Sequence, residues 1–309
     1  MIDKIMLKSK ILKIIREVLE HYQFIEVTTP VLRKGTNEVF KRHTVILGND
    51  HIEKFAYLRD SLECPLRSLL QHTPRVYEIG PCFRVDPVDN QHYPEFTLLE
   101  VYAEKTDFEF LLKLILEIIE RIYLSISSPI SINKISIRES IRDILGIDIS
   151  NIDGNQLKEN IIQVDELNYG KYRNTPHYIC INEFISKNFE VASGVNVFYE
   201  YPASTISSAR RISNTQLIER FEIFINGVEV AHGYMDEIDL DDYEKRGREV
   251  NLYNFEEKLI TELIQSKNLC PDTGGFGLGI ERLCSVLSSE DIANYIFGKD
   301  FNYLSKINL

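Results

Sequence analysis

Three stretches of the sequence set reactive side chains at chemically useful spacings. In EFTLLEVY (95–102), strand alternation puts Phe96, Leu98, Glu100 and Tyr102 on one face and Thr97, Leu99 and Val101 on the other. An aromatic, a carboxylate and a phenol make a poor core face but a good floor for a cationic or polar ligand. A solvated sheet face fits the strand equally well. In RFEIFINGVEVAHGY (220–234), Asn226-Gly227 marks the tip of a two-residue hairpin. Phe224 would then pair with Glu229 and Glu222 with Ala231, leaving Glu222 and Glu229 diagonal on one face. Two close carboxylates repel unless a cation joins them, and a hard divalent ion with bound phosphate is one solution. From the hairpin by itself, two solvated glutamates are the plainer reading. In GGFGLGIER (274–282), glycines let backbone approach a ligand closely and Arg282 begins a helix beside them. No GK[ST] follows, so this is not a Walker loop, and the GxGxxG spacing of a dinucleotide fold is absent.

The elements that must carry these residues follow from periodicity. Residues 3–23 place Ile5, Met6, Ile11, Leu12, Ile14, Ile15, Val18, Leu19 and Tyr22 at helical spacing, and FIEVTTPVL (24–32) reads as a strand at a sheet edge or interface, closed by Pro30. A loop with a hairpin is expected over 35–55, a helix over 58–71, and strands over 75–85 and 95–104. Thr106 and Glu109 form a capping box for an apolar helix to about residue 124. A small mixed insertion spans about 130–195, a helix about 240–267, and 274–287 reads as strand, glycine turn and helix. The expected architecture is α+β, an antiparallel sheet flanked by helices, in one domain over 1–309.

Composition narrows the class. The 309 residues carry 35 basic and 47 acidic side chains, a net charge of −12, with no basic stripe of the kind that grips a nucleic-acid backbone. That counts against a nucleic acid, tRNA included, as an obligate partner. Five scattered cysteines without a CxxC or Cys/His cluster read as reduced thiols in a cytoplasmic protein, and no zinc site is expected. No apolar run is long enough to cross a bilayer, and the charged first twenty residues lack a signal-peptide core.

The order of the pieces is more telling than any one of them. A helix and a strand ending in Pro30, then FRVD with a loop and HYPEF, then GGFGLGIERL resemble motifs 1, 2 and 3 of class II aminoacyl-tRNA synthetases, over nearly the whole chain. Within that class, FRVDPVDNQHYPEFTLLEVY, YPASTISSARRI, ERFEIFINGVEVAHGY and LGIDIS (145–150) are similar to lysyl-tRNA synthetase. They are closer still to its truncated relative, the elongation factor P (R)-β-lysine ligase, as is a chain that starts at motif 1 without an anticodon-binding domain.

The resemblance implies ATP and Mg²⁺ as cofactors. Arg84 would bind the α-phosphate and the amino-acid carboxylate, His92 would reach the γ-phosphate, and Phe96 and Arg282 would sandwich adenine. Glu222 and Glu229 would hold the metal, and Asp86 stands where the family has glutamate. Glu63 and Glu100 would take the substrate's α-amine, and Tyr102 and Asp236 its distal amine. Ala231 replaces a glycine, His232 the asparagine at the substrate carboxylate, and Tyr234 a phenylalanine. Asp236 replaces a glutamate, drawing its carboxylate back by about 1.5 Å, one C–C bond. Alternation would turn His232, Tyr234 and Asp236 away from Glu229 unless a bulge near Gly233 re-aims them or the hairpin register fails there.

The function so implied is formation of an aminoacyl adenylate from a lysine-like amino acid and its transfer to a protein or small-molecule amine, in a homodimer built on motif 1. The alternatives are a non-catalytic regulatory or amino-acid-sensing paralogue and an ammonia-dependent asparagine synthetase-like enzyme. The second would need a cationic group for its substrate's side-chain carboxylate, where Glu63, Glu100 and Asp236 point the other way.

Overall fold

Helix α1 (Ile2–His21) forms on the expected apolar spacing and buries Ile11, Ile15, Val18 and Leu19. The structure, a computed structural model, describes residues 1–35, 41–49, 52–165, 169–204, 208–249, 255–266 and 270–298. After α1 only β1 (Ile25–Glu26) and β2 (Leu32–Arg33) are strands, so the single strand expected over 24–32 is broken. The reason lies in what satisfies the backbone between them. The Glu78 carboxylate accepts from the Thr29 amide at 2.9 Å, and the buried Arg59 guanidinium donates to the Thr29 carbonyl at 3.0 Å. Side chains thus replace ladder partners, and Pro30 has no N–H to offer.

Strands β3 (Thr44–Asn49) and β4 (Ile52–Leu58) form the hairpin expected within 35–55, whose positions 36–40 and 50–51 lie outside the described residues. With Leu58 in β4, helix α2 (Glu63–Leu69) is shorter than expected. Pro65 falls in its first turn, where the missing N–H costs little. Strands β5 (Arg75–Phe83) and β6 (Glu95–Glu104) follow, then α3 (Phe108–Ser125). Its cap is Asp107, whose side chain accepts from the Phe110 amide at 2.7 Å, not Thr106.

The segment expected to be a mixed insertion supplies β7 (Ile132–Ser136), α4 (Ile137–Leu145), α5 (Gly154–Val164), α6 (Tyr169–Arg173) and α7 (His177–Asn188). Then come β8 (Val195–Pro202), β9 (Leu217–Ile225) and β10 (Val228–Met235). The helix expected over 240–267 is two, α8 (Leu240–Glu249) and α9 (Phe255–Gln265), and 250–254 lies outside the described residues. Strand β11 (Thr273–Gly279) and helix α10 (Ile280–Ser288) close the series.

Eight strands form one sheet in the order β1-β5-β6-β11-β10-β9-β8-β7, antiparallel except for the parallel edge pairs β1–β5 and β7–β8. One face packs on α1, α3 and α10 through a core that includes Leu99, Val101, Phe221, Ile223 and Phe276. On the other face two separate clusters leave the middle of the sheet open. One, on α2, joins Leu62, Leu66 and Leu70 to Val76 and Tyr102. The other joins Ile141, Leu157, Ile181 and Phe184 of α4, α5 and α7 to Phe198 and Phe224. Among the described residues, no helix is long and apolar enough to cross a membrane.

The open middle is lined by β11, whose cleft-side positions are glycines: Gly275 pairs with Tyr102, Gly277 with Glu100 and Gly279 with Leu98. A Cβ on Gly275 would lie 2.3 Å from the Val101 carbonyl and 2.6 Å from the Tyr102 ring, whereas one on Gly277 would meet nothing closer than 3.7 Å. Gly275→Ala is expected to lose about 1–3 kcal/mol of unfolding free energy through overpacking. Gly277→Ala should stay within about 1 kcal/mol of the parent, and urea denaturation distinguishes the two.

Candidate active site

The hairpin turns on Asn226 (φ 51°) and Gly227 (φ 80°), the left-handed pair that a tight hairpin requires. Val228 pairs with Ile225 and Glu229 with Phe224 as expected, but the register then shifts: Ala231 faces Ile223, His232 faces Glu222 and Tyr234 faces Arg220. The expected Glu222–Ala231 pairing is therefore corrected. The bulge lies at Val230, not near Gly233, and Val230 drops into the core. One extra residue reverses the alternation, so Glu229, His232 and Tyr234 all share the cleft face with Glu222. Across the sheet, one row runs Glu100, Gly277, His232, Glu222 and the next Tyr102, Gly275, Tyr234, Arg220.

A cavity of about 550 Å³ opens over these rows. Each residue singled out from the sequence lines it except Asp236, which is set back and 2% exposed. At one end, Arg84 lies over the Phe96 ring with its guanidinium carbon 5.2 Å from the centroid, and its Nε donates to the Asp60 carbonyl at 3.2 Å. Arg282 reaches in from α10 and donates to the carbonyls of Gln91 (3.2 Å) and Glu229 (3.1 Å). It thereby ties the loop between β5 and β6 to β10. His92, on that loop, sits 2.9 Å from Asp89, which also accepts the Gln91 and His92 amides at 2.7 Å. Asp86 lines the same end.

In the centre, one donor atom each from Glu222, Glu229 and His232 lie within 4.8 Å of one another. Burial pushes Glu222 up, but Arg220 and the Tyr201 hydroxyl, which donates to it at 2.7 Å, outweigh burial and hold it below its ordinary value. Glu229 is pushed up to about 7, by burial and then by the Glu222 charge. Its side chain is 39% open to the cleft, so water there moderates the rise. Burial and the neighbouring Arg220 hold His232 down at about 4, which keeps the ring neutral. Two carboxylates that resist joint ionisation beside a neutral imidazole suit a divalent cation.

The other end is acidic and closed. Ser61 donates to Glu100 at 2.9 Å, and burial, then the Glu63 charge, push Glu100 up to about 8. Tyr234 donates to Glu63. Arg67, fully buried on α2, pairs with Glu63 at 3.0 Å and with Asp236 at 3.3 Å. Neither Asp236 oxygen has a hydrogen bond among the described residues. Arg67 was not among the expected site residues, yet it stands four residues after Glu63 on a helix, a spacing that puts both on one side. Arg220, equally unanticipated, stands two residues before Glu222 and so shares its strand face.

A central antiparallel sheet with a glycine-floored cleft, entered by one arginine from a strand pair and another from the helix after β11, defines the catalytic fold of class II synthetases. Residues 1–297 match the family described as "tRNA synthetases class II (D, K and N)", and the chain belongs to it. It is 31% identical to the lysine–tRNA ligase of Mycoplasma genitalium, across 92% of this chain and 62% of that protein. It is 28% identical to the lysine–tRNA ligase of Malacoplasma penetrans (92% and 62%) and to that of Saccharolobus solfataricus (92% and 61%). The chain thus spans about 62% of the length of these relatives.

Two outcomes follow from the acidic end. Glu100 has a folded pKa above its ordinary value, so its contribution to stability is present at acid pH and is lost as pH rises towards about 8. Glu100→Gln should therefore melt higher than the parent at pH 8, by on the order of a few degrees, with the gap closing by pH 5. Removing Arg67 leaves buried acids unpaired, and Arg67→Met should cost about 3–5 kcal/mol in denaturant unfolding.

Proposed function

We propose that this chain uses ATP to activate a lysine-like amino acid as its adenylate. The observation that carries the reading is the charge balance of the closed end. Glu63, Glu100 and Asp236 set three carboxylates against the one guanidinium of Arg67; Glu100, held up to about 8, ionises against a bound ammonium, and the end then carries two negative charges. An amino acid with two ammonium groups brings two positive ones. The asparagine synthetase-like alternative needs a cation free to hold a side-chain carboxylate. Arg67 is a cation at the right depth, but Glu63 and Asp236 already flank it.

In this reading the substrate's ammonium groups lie among Glu63, Glu100, Tyr102 and Tyr234, with Asp236 behind them, and its carboxylate points along the β11 trough past Ala231 towards Arg84. Adenine stacks on Phe96, which requires the Arg84 guanidinium to leave that ring and turn to the α-phosphate, with Arg282 closing from the opposite side. Asp86 and His92 border the ATP end of the cleft. A carboxylate oxygen forms a bond to the α-phosphorus as the bond to the pyrophosphate oxygen breaks, so no protein nucleophile is needed. The chain's contribution is position and fixed charge. Glu222 and Glu229 would hold Mg²⁺, which would supply neutralisation of phosphate charge.

For the acceptor, the acidic balance of −12 supports a protein amine of the elongation factor P type or a small-molecule amine. The names of the similar lysine–tRNA ligases favour tRNA as a second reading. Exposed Ile2 and Met6 on α1 and Ile25 on β1, in the motif 1 region, support a homodimer. A cytoplasmic setting fits the free cysteines.

Amino-acid-dependent ATP–pyrophosphate exchange tests the reading across α-lysine, both β-lysine enantiomers, ornithine, arginine and neutral amino acids. Exchange is expected with one diamino acid, and Arg84→Ala should lower its rate by about 10²–10³-fold. Silence across the panel would reject the assignment. Transfer of the labelled amino acid to tRNA, or to a protein amine in its place, decides the acceptor.

A further inference from the structure

The centre of the cleft holds a donor that a magnesium site does not need. Glu222 and Glu229 by themselves make a hard oxygen site. His232 adds an imidazole, fixed opposite Glu222 by the β9–β10 ladder and not by a loop. Its Nε2 is buried and has no hydrogen-bond partner among the described residues, although the three donor atoms lie within 4.8 Å of one another. A buried ring nitrogen that bonds neither neighbouring carboxylate is costly if it is left that way. Donor atoms gathered within 4.8 Å of one another, with no hydrogen bond from Nε2 to either carboxylate, suit a shared ion. Donors about 2.1 Å from one metal stand up to about 4.2 Å apart, so a small side-chain adjustment closes the set. Glu222 accepts from Tyr201 and Arg220, and each carboxylate oxygen has a second lone pair to give. The bulge at Val230 is what brings Glu229 and His232 to the same side.

We propose that His232 turns the glutamate pair into a Glu₂His site that takes a first-row transition metal, Mn²⁺ or Zn²⁺, in preference to Mg²⁺. Imidazole adds affinity across the first-row divalent ions, least for Mn²⁺ and more for Zn²⁺, and little for magnesium, so the preference follows from donor type. The assignment rests on reading this cleft as a metal-binding one but not on amino-acid activation.

The test uses the full chain without ATP. Mn²⁺ is titrated by electron paramagnetic resonance with Mg²⁺ as competitor, and the bound ion is examined for ¹⁴N coupling by electron spin echo modulation. Mn²⁺ is expected to bind at least about tenfold more tightly than Mg²⁺, with clear nitrogen coupling. His232→Asn should abolish the coupling and bring the two affinities together. Glu229→Gln should weaken Mn²⁺ binding while leaving the thermal melt of the protein in place. Bound Mn²⁺ without nitrogen coupling in the parent chain overturns the proposal, whatever the variants do, and so does equal affinity for the two ions. Exchange activity with magnesium beside uncoupled manganese rejects the metal assignment alone. Nitrogen-coupled manganese in a chain silent for exchange rejects the activation reading alone.

Discussion

One extra residue in β10 decides what the cleft contains. Before Val230 the strand presents Glu229 to the cleft, and without a shift of register the next residues on that side would be Ala231 and Gly233. With the shift they are His232 and Tyr234, and the core receives Val230 and Ala231 instead. The bulge is held by packing on both sides of it: Val230 is 3% exposed, and Gly233 lies so close under Phe221 that a Cβ would stand 2.4 Å from the ring. The central cluster, the Tyr234–Glu63 contact and the row facing Gly277 all depend on that one register shift.

Around this row, buried charges are matched across elements distant in the chain. Arg59 joins Glu78 at 2.7 Å with both side chains almost wholly buried, and so ties the end of β4 to β5. Arg67 does the same for α2 and the end of β10 through Asp236. Arg42 spans Asp60 and Glu256, linking the start of the β3 region to α9. Such pairs recover little net stability against their desolvation, but each is satisfied by one geometry only. They set where α2, β5 and α9 stand relative to the sheet, and with them the walls of the cleft.

Much of this was legible from local chemistry. The Asn226-Gly227 turn, the strand 95–104 and its face of Phe96, Leu98, Glu100 and Tyr102 follow from turn and alternation rules that need no distant partner. What escaped those rules had a distant cause. The strand expected over 24–32 is broken because its hydrogen bonds go to Glu78 and Arg59, far along the chain. The register of β10 could not be read because alternation assumes one residue against one, and the residue that breaks the count is an ordinary valine. The cap of α3 was missed by one position because Thr106 and Asp107 both satisfy the capping pattern and only geometry separates them. Arg67 was within reach of helical spacing from Glu63, whereas its second partner, Asp236, was not.

The place of β11 in the sheet has a consequence for how the chain is made. It comes from residues 273–279, yet it lies between β6 and β10, strands completed by residues 104 and 235. As the chain leaves the ribosome, the hairpin of β5 and β6 and the ladder of β8, β9 and β10 each have an inner edge with no neighbour until that late segment arrives. Its cleft side is glycine, with little intrinsic preference for a strand, so both flanking edges must already be in place to order it. Translation that stopped before residue 273 would leave two half-sheets with exposed edges and no floor between them. Such edges invite pairing with other chains, and the most dangerous moment in the life of this protein is the one just before β11 is made.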